Sequence, residues 1–248
     1  MKITFLGTIG WYDTDMGHTP SILIETKNEY IVLDAGFGLG QAEKYIKTNK
    51  PLYLFLSHPH IDHICGLHTL VLLKNKVSKV VLILSEKYYK EIKTFASPPY
   101  SDSFKQKHKN LKIIKVKPGT YKLPIEFECQ KINHICYTLG FRIKLENKII
   151  SYCCDTGPCK NVIGLSKNAD LLIHECALGI GESDMKWGHS GPEVAATAAK
   201  NAKTKKLILT HLSPNNFDTK AKAKKAEKVA RKIFKNTQVA FDKMEIEI

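Results

Sequence analysis

Short apolar, β-branched runs recur along the chain, separated by segments of helical periodicity. Met1 to Leu6, Ser21 to Asp34, Leu52 to Leu56 and Lys79 to Leu84 are alternating or continuous hydrophobic runs of strand type. Between them, Gln41 to Thr48, Gly66 to Lys74 and Glu86 to Phe95 predict helices, and the Gly-Phe-Gly-Leu-Gly segment at Gly36 to Gly40 predicts a turn. Pro98 to Lys109 is a polar excursion. From Leu111 to Cys154 the pattern is of strands, with hairpin turns expected at Pro118-Gly119 and Glu146-Asn147. After Asp155 the alternation returns, with strands at Asp170 to His174 and Lys206 to Thr210. Ser190-Gly191-Pro192-Glu193 has capping-box spacing before an alanine-rich helix. Thr219 to Lys235 is a lysine-rich amphipathic helix that turns Ala223, Ala226, Ala230, Ile233 and Phe234 to a core. This order predicts an α/β chain with two mixed sheets and helices outside them.

No linker-like stretch interrupts the 248 residues, so one domain over 1–248 is expected. The apolar runs are too short for a membrane span, and the N-terminal segment reads as a first strand, not a signal peptide; the cytoplasm is the expected compartment. Seven cysteines, an odd number without C-x-x-C pairs, are expected to be reduced and mostly buried. The net charge of +14 would suit a polyanionic partner, yet only two of the basic residues, Arg142 and Arg231, are arginines. Phosphate recognition favours the guanidinium fork, so general solvation accounts for the lysines better than a dedicated nucleic-acid surface. The same applies to Lys105 to Lys117, read as a solvated loop.

The candidate chemistry lies where the third run ends. His58-Pro59-His60-Ile61-Asp62-His63 places three imidazoles and a carboxylate within six residues. In extended backbone His58 and His60 face one way and can chelate one ion, while a turn at Asp62-His63 presents a second pair. Imidazole with carboxylate suits Zn2+ first, with Mn2+ or Fe2+ as alternatives.

The cluster resembles the H-x-H-x-D-H signature of the metallo-β-lactamase superfamily, and the resemblance runs along nearly the whole chain. Gly7-Thr8-Ile9-Gly10 is similar to the family's opening and Val32-Leu33-Asp34-Ala35-Gly36 to its second landmark; His134, Asp155 in Cys154-Asp155-Thr156-Gly157, and His211 in Leu209-Thr210-His211-Leu212 follow in order. It implies a four-layer αββα sandwich of two mixed β-sheets and a site for two divalent metal ions. His58, His60 and His134 would hold the first ion and Asp62, His63 and His211 the second, with Asp155 bridging. Asp62 would also orient or deprotonate the attacking water. Asp34 is either a residue that fixes a ligand imidazole or a turn-capping aspartate.

More narrowly, His174-Glu175-Cys176 followed by His189-Ser190 resembles the ribonuclease Z branch and its phosphodiesterase relatives. There a glutamate orients a histidine that donates a proton to the leaving group; here these would be Glu175 and His189, which otherwise form a buried structural pair. The helix N-terminus after Ser190 would favour anions. Members that process tRNA carry a long exosite arm, whereas twenty residues separate His134 from Asp155 in this chain. A small phosphodiester, such as a cyclic nucleotide or cyclic phosphate, therefore fits better than full tRNA processing, with RNA as the other substrate and a homodimer as the expected assembly. A lactone or thioester hydrolase and a non-catalytic nucleic-acid-binding member are the alternatives. An oxygen reductase would carry a glutamate at the position of His60. Antibiotic hydrolysis fits poorly with Asp155 as a bridging carboxylate. Trp11, Tyr12, His18, Tyr100 and Trp187 are aromatic candidates for lining a substrate pocket.

Overall fold

The structure is a computed structural model that describes residues 1–103, 109–122, 124–184 and 186–248. Two compact units emerge: Met1–Thr8, Gly17–Lys117 and Asp242–Glu247 form the first, and Ile9–Met16 with Pro118–Phe241 form the second.

The first unit is built on β1 (Lys2–Gly7), β2 (Ser21–Glu25), β3 (Tyr30–Leu33), β4 (Leu52–Phe55), β5 (Val80–Ser85) and β6 (Leu111–Val116), closed at its other edge by β14 (Glu245–Glu247). The sheet order is β14-β1-β2-β3-β4-β5-β6. Strands β3 to β6 are mutually parallel, β1 to β3 antiparallel. Parallel strands are buried on both faces, and β3, β4 and β5 are buried at every position, which is why they read as unbroken apolar runs. Two 3-10 helices, Phe37–Lys44 and Cys65–Leu73, and helix α2 (Tyr89–Phe95) cover the sheet through Leu39, Ala42, Leu67, Leu70, Leu73 and Ile92. The segment expected as a glycine turn plus a helix to Thr48 is instead one 3-10 helix ending at Lys44. Gly38 and Gly40 give it no helical propensity, and buried Leu39 and Ala42 hold it down.

The second unit orders its strands β13-β12-β11-β10-β9-β8-β7. These are β7 (Gly119–Tyr121), β8 (Glu126–Ile132), β9 (Thr138–Leu145), β10 (Lys148–Cys153), β11 (Leu171–Cys176), β12 (Leu207–Leu212) and β13 (Thr237–Val239). Strands β10 to β13 are parallel, β7 to β10 antiparallel. The turn at Glu146-Asn147 joins β9 and β10 as expected, with Glu146 in the left-handed region (φ 52°). Helices α3 (Lys160–Leu165), α4 (Pro192–Ala202) and α5 (Lys220–Ile233) pack on this sheet. In α5 the Thr219 hydroxyl accepts from Lys222 N–H as an N-cap, and Ala223, Ala226 and Ala230 fall on the buried face at helical spacing.

Three expectations are corrected. Pro118-Gly119 does not close a hairpin: β6 pairs with β5 and β7 with β8, so the chain passes between sheets there. Leu111 to Val116 is β6, as the strand pattern from Leu111 predicts, so the solvated-loop reading of Lys105 to Lys117 fails there; residues 104–108 of that stretch lie outside those described. Ser190 does not cap α4. Gly191 is the N-cap and Pro192 starts the helix, while the Ser190 hydroxyl donates to Thr156 O at 2.5 Å. Glu193 already occupies the first turn, so this end is not an uncompensated anion site.

Candidate functional site

In the first unit the candidate residues follow the C-terminal ends of parallel strands, where open α/β sheets place ligands. Asp34 follows β3 and adopts φ 57°, and His58 follows β4. The extended stretch ends at His60, and helix α1 (Ile61–Ile64) then carries Asp62 and His63. The fully buried Asp34 carboxylate organises the cluster. Its Oδ1 accepts from Ser57 N–H (2.7 Å), and its Oδ2 accepts from both the Ser57 hydroxyl (2.7 Å) and His63 Nδ1–H (2.7 Å). Because the Ser57 proton goes to Asp34, its oxygen accepts from His58 Nδ1–H at 2.9 Å. Both imidazoles thus hold their protons on Nδ1 and carry their lone pairs on Nε2. His63 Nε2 lies 3.4 Å from Asp62 Oδ2, and the His58 ring centroid is 4.5 Å from that of His60 and 4.2 Å from that of His63.

The second unit gathers the later residues at the ends of β8, β10, β11 and β12. Asp155 and His211 both have left-handed backbone (φ 54° each), uncommon for residues other than glycine and concentrated at functional turns. For His211 the cause is a β-bulge: Glu175 pairs with Thr210 and Cys176 with Leu212, so His211 is the extra residue, re-aimed out of the ladder. Its Nε2 lies 3.1 Å from Asp155 Oδ1, while His134 Nε2 lies 3.9 Å from Asp155 Oδ2. One carboxylate therefore faces an imidazole with each oxygen. His134 Nδ1–H donates to Gly188 O (3.4 Å), and burial pushes the His134 imidazolium below its ordinary range against the pull of Asp155. Glycine is required at two of these contacts. A Cβ on Gly10 would meet His211 ring atoms at 2.5 to 2.8 Å, and one on Gly188 (φ 81°) would meet Asn133 O at 2.5 Å.

Glu175 and His189 also come together. His189 Nδ1–H donates to Glu175 Oε1 at 2.8 Å, and this carboxylate is wholly buried. Glu175 Oε1 also accepts from Thr156 N–H (2.8 Å), and Oε2 accepts from Ala177 N–H (2.9 Å). Burial alone would push His189 down, but the charge and hydrogen bond of Glu175 outweigh it and raise the imidazolium to about 9. The His189 ring is 5.0 Å from His134 and 6.0 Å from His211, centroid to centroid.

The donor chemistry in each unit suits a divalent metal. Imidazoles with Nδ1 tied back, next to carboxylates, are what a zinc-type ion selects, and His134, Asp155 and His189 bring donor atoms within 4.8 Å of one another. Ser57, Thr156, Gly10 and Gly188 contact these residues; Ser57 has a local signal in its place beside His58, Gly10 and Thr156 lie in segments that carry the resemblance, and Gly188 has none. The aromatic candidates separate: Trp11, Tyr12 and Trp187 are exposed in the second unit, the His18 N–H donates to Asp242 Oδ2, and Tyr100 lines a cavity with Lys90, Glu91, Thr94 and Phe95. All seven cysteines are thiols, five of them buried. Among the described residues no helix is long and apolar enough to cross a membrane.

Comparison with known proteins places the chain among metal-dependent hydrolases acting on ester bonds. A family model described as a β-lactamase superfamily domain matches residues 29–212, and the chain belongs to that superfamily. It is 24% identical to the ribonuclease Z of Archaeoglobus fulgidus, covering 100% of this chain and 97% of that one, and 28% identical to the ribonuclease Z of Prochlorococcus marinus strain MIT 9215, covering 100% of both. The first alignment runs over 308 positions against 248 residues here, so the relative carries segments this chain lacks. Among solved structures, the metallo-β-lactamase fold protein YhfI of Bacillus subtilis superimposes with a TM-score of 0.81 at 22% identity, over 99% of each chain. The short form of human tRNase Z gives 0.77 at 20% identity over 100% of this chain and 99% of its own. These establish the metallo-β-lactamase fold, with its two mixed seven-stranded sheets and helices.

Proposed function

We propose that the chain is a phosphodiesterase with two divalent metal ions, most naturally Zn2+ and otherwise Mn2+ or Fe2+, held by His58, His60, Asp62, His63, His134, Asp155 and His211. The bound ions supply an activated hydroxide and polarise the phosphoryl group. The chain's own residues do the rest. Asp62 orients the attacking water and takes up its proton. The imidazolium of His189, held by Glu175, donates a proton to the departing alkoxide and neutralises charge on the phosphoryl oxygens. Asp34 and Ser57 fix the tautomers of His63 and His58.

The observation that carries the phosphodiester reading is the Glu175–His189 pair, 2.8 Å apart, whose imidazole keeps its proton well above neutrality. An acid at that position serves a poor alkoxide leaving group and the charged oxygens of a phosphoryl group, whereas the thiolate of a thioester leaves without one. Twenty residues separate His134 from Asp155, largely the β9–β10 hairpin, which leaves no room for an exosite arm. This favours a small cyclic nucleotide or cyclic phosphate over a tRNA precursor, and it keeps RNA in second place on the strength of the ribonuclease Z relatives. The reduced cysteines suit a cytoplasmic protein, and a homodimer is its proposed assembly.

The test compares His189→Ala with wild type on two phosphodiesters, one with a p-nitrophenolate and one with an alkoxide leaving group. The proposal expects roughly 10²- to 10⁴-fold loss of kcat on the alkoxide substrate and a much smaller loss on the other. Equal losses on both would refute proton donation by His189.

A further inference from the structure

The second unit holds a cavity of about 370 Å3 that none of the proposed metal ligands lines. It lies between α3 and α4, with Val162, Val194 and Ala198 as apolar walls and His174 of β11 against it. Leu172 and Cys176, two residues to either side of His174, pack into the cluster formed with α4 and α5. Strand alternation therefore puts His174 on this helix-covered face, opposite to Glu175.

His174 is only 1% exposed. Its Nδ1 lies 2.8 Å from Glu175 O, and because a carbonyl only accepts, Nδ1 carries the proton and Nε2 the lone pair. Burial lowers the pKa of this imidazole, which keeps it neutral at pH 7. With Nδ1 turned back to its own strand, the ring offers its other edge to the cavity it lines. That edge is an acceptor that a donor group on an occupant can reach. Glu193, Thr197 and Asn201 are polar lining residues too; the Glu193 carboxylate is a second acceptor, spending Oε1 on Gly181 N–H at 3.2 Å, and the Thr197 hydroxyl donates to Glu193 O at 2.7 Å. The cavity thus pairs an apolar body with two acceptors, His174 Nε2 and the Glu193 carboxylate, beside the Asn201 carboxamide, and its volume falls at the small end of ligand pockets, about 300 to 1,000 Å3.

We propose that this cavity binds a compact, mainly apolar molecule carrying hydrogen-bond donors, an aromatic or branched amine or alcohol, with a donor on His174 Nε2 and the Glu193 carboxylate facing the charge of an amine. The occupant would rest on Gly157 and Pro158, in the turn whose Thr156 N–H donates to Glu175. The site does not depend on which ester the enzyme cleaves.

The experiment follows the ring nitrogens of the histidines by NMR in zinc-loaded, histidine-15N-labelled protein, with His174 assigned by His174→Phe. Benzyl alcohol and benzylamine are expected to move the His174 Nε2 resonance saturably. Benzoate, the same ring with acceptors only, is expected to bind at least about tenfold more weakly, since it faces two acceptors. Val194→Trp, which fills the cavity from α4, should weaken both donor ligands by at least about tenfold while leaving the other histidine resonances in place. The absence of a saturable shift, an equal response to benzoate, or binding unchanged in a folded Val194→Trp protein would overturn the proposal. Should that variant fail to fold, the donor-against-acceptor series decides the matter alone.

Discussion

Replacing Glu175 by glutamine tests the acid pair without changing its shape. In the wild type the buried carboxylate holds the His189 imidazolium up to about 9, so at pH 7.5 about 97% of it is protonated. Glutamine removes the opposing charge while the burial that depresses the imidazolium remains, so the value should fall to the ordinary 6.5 or below. That drop corresponds to roughly 3 kcal/mol of differential interaction, at about 1.4 kcal/mol per pH unit. No more than about a tenth of His189 would then be protonated at pH 7.5, a loss of about tenfold in active acid. Glutamine also has one oxygen where glutamate has two, and Glu175 accepts from Thr156 N–H, Ala177 N–H and His189 Nδ1–H. One buried donor loses its acceptor, which costs about 1–3 kcal/mol of stability. The assay is kcat against pH, from 5.5 to 9, on a dinucleotide with an alkoxide leaving group. Glu175→Gln should lose at least about tenfold at pH 7.5 and recover as the pH falls toward 6. A deficit independent of pH, and equal for a nitrophenolate substrate, would mean that Glu175 only holds the backbone of Thr156 and Ala177.

Further expectations follow from the same contacts. In the metal-free protein the His189 ring should titrate near 9 by NMR, and a wild-type value below 6.5 would contradict the charge balance described. Because this folded-state value is raised above the unfolded one, the pair's stabilisation is fully present below pH about 6.5 and fades as pH rises through about 9; thermal melts should show this loss in wild type and not in Glu175→Gln. Asp34→Asn keeps a side chain suited to left-handed backbone but leaves its carboxamide NH2 against one of its three donors. It should weaken zinc retention about 10- to 100-fold in a chelator competition, and unchanged affinity would remove Asp34 from the site. Gly10→Ala drives a methyl into the His211 ring, so metal binding should fall while the circular dichroism spectrum persists; an intact metal content would count against His211 as a ligand.

How much of this could be read from the chain depended on how local each feature is. His58 to His63 was legible because its donors are packed into six residues where an apolar run stops, and β4 does end just before it. The buried parallel strands announced themselves as continuous apolar runs for the same physical reason. His211 gave no such sign: what aims it is a bulge in the β11–β12 ladder, a pairing property that a single strand does not display. Glu175 and His189 are fourteen residues apart and were joined by resemblance, not by spacing. Asp34 leaves two readings open on sequence alone; in the structure its carboxylate holds the His63 imidazole and accepts from Ser57, contacts between residues twenty-three and twenty-nine positions away that no local pattern shows. Pro118-Gly119 has turn chemistry that predicts a hairpin, but turn residues mark a change of direction without saying which sheet the next strand joins. Ser190 matched a capping box, yet the proline two residues on moved the helix start and freed the hydroxyl for Thr156.

The most direct measurement of the central claim is turnover by protein stripped with a chelator and titrated with Zn2+, on bis(p-nitrophenyl) phosphate beside a simple lactone and a thioester, for wild type and Asp62→Ala. The account predicts phosphodiester cleavage that appears as zinc is added, saturates at two ions per chain and is lost in Asp62→Ala. Cleavage of only the lactone or thioester, or phosphodiester turnover that needs no metal, would contradict it.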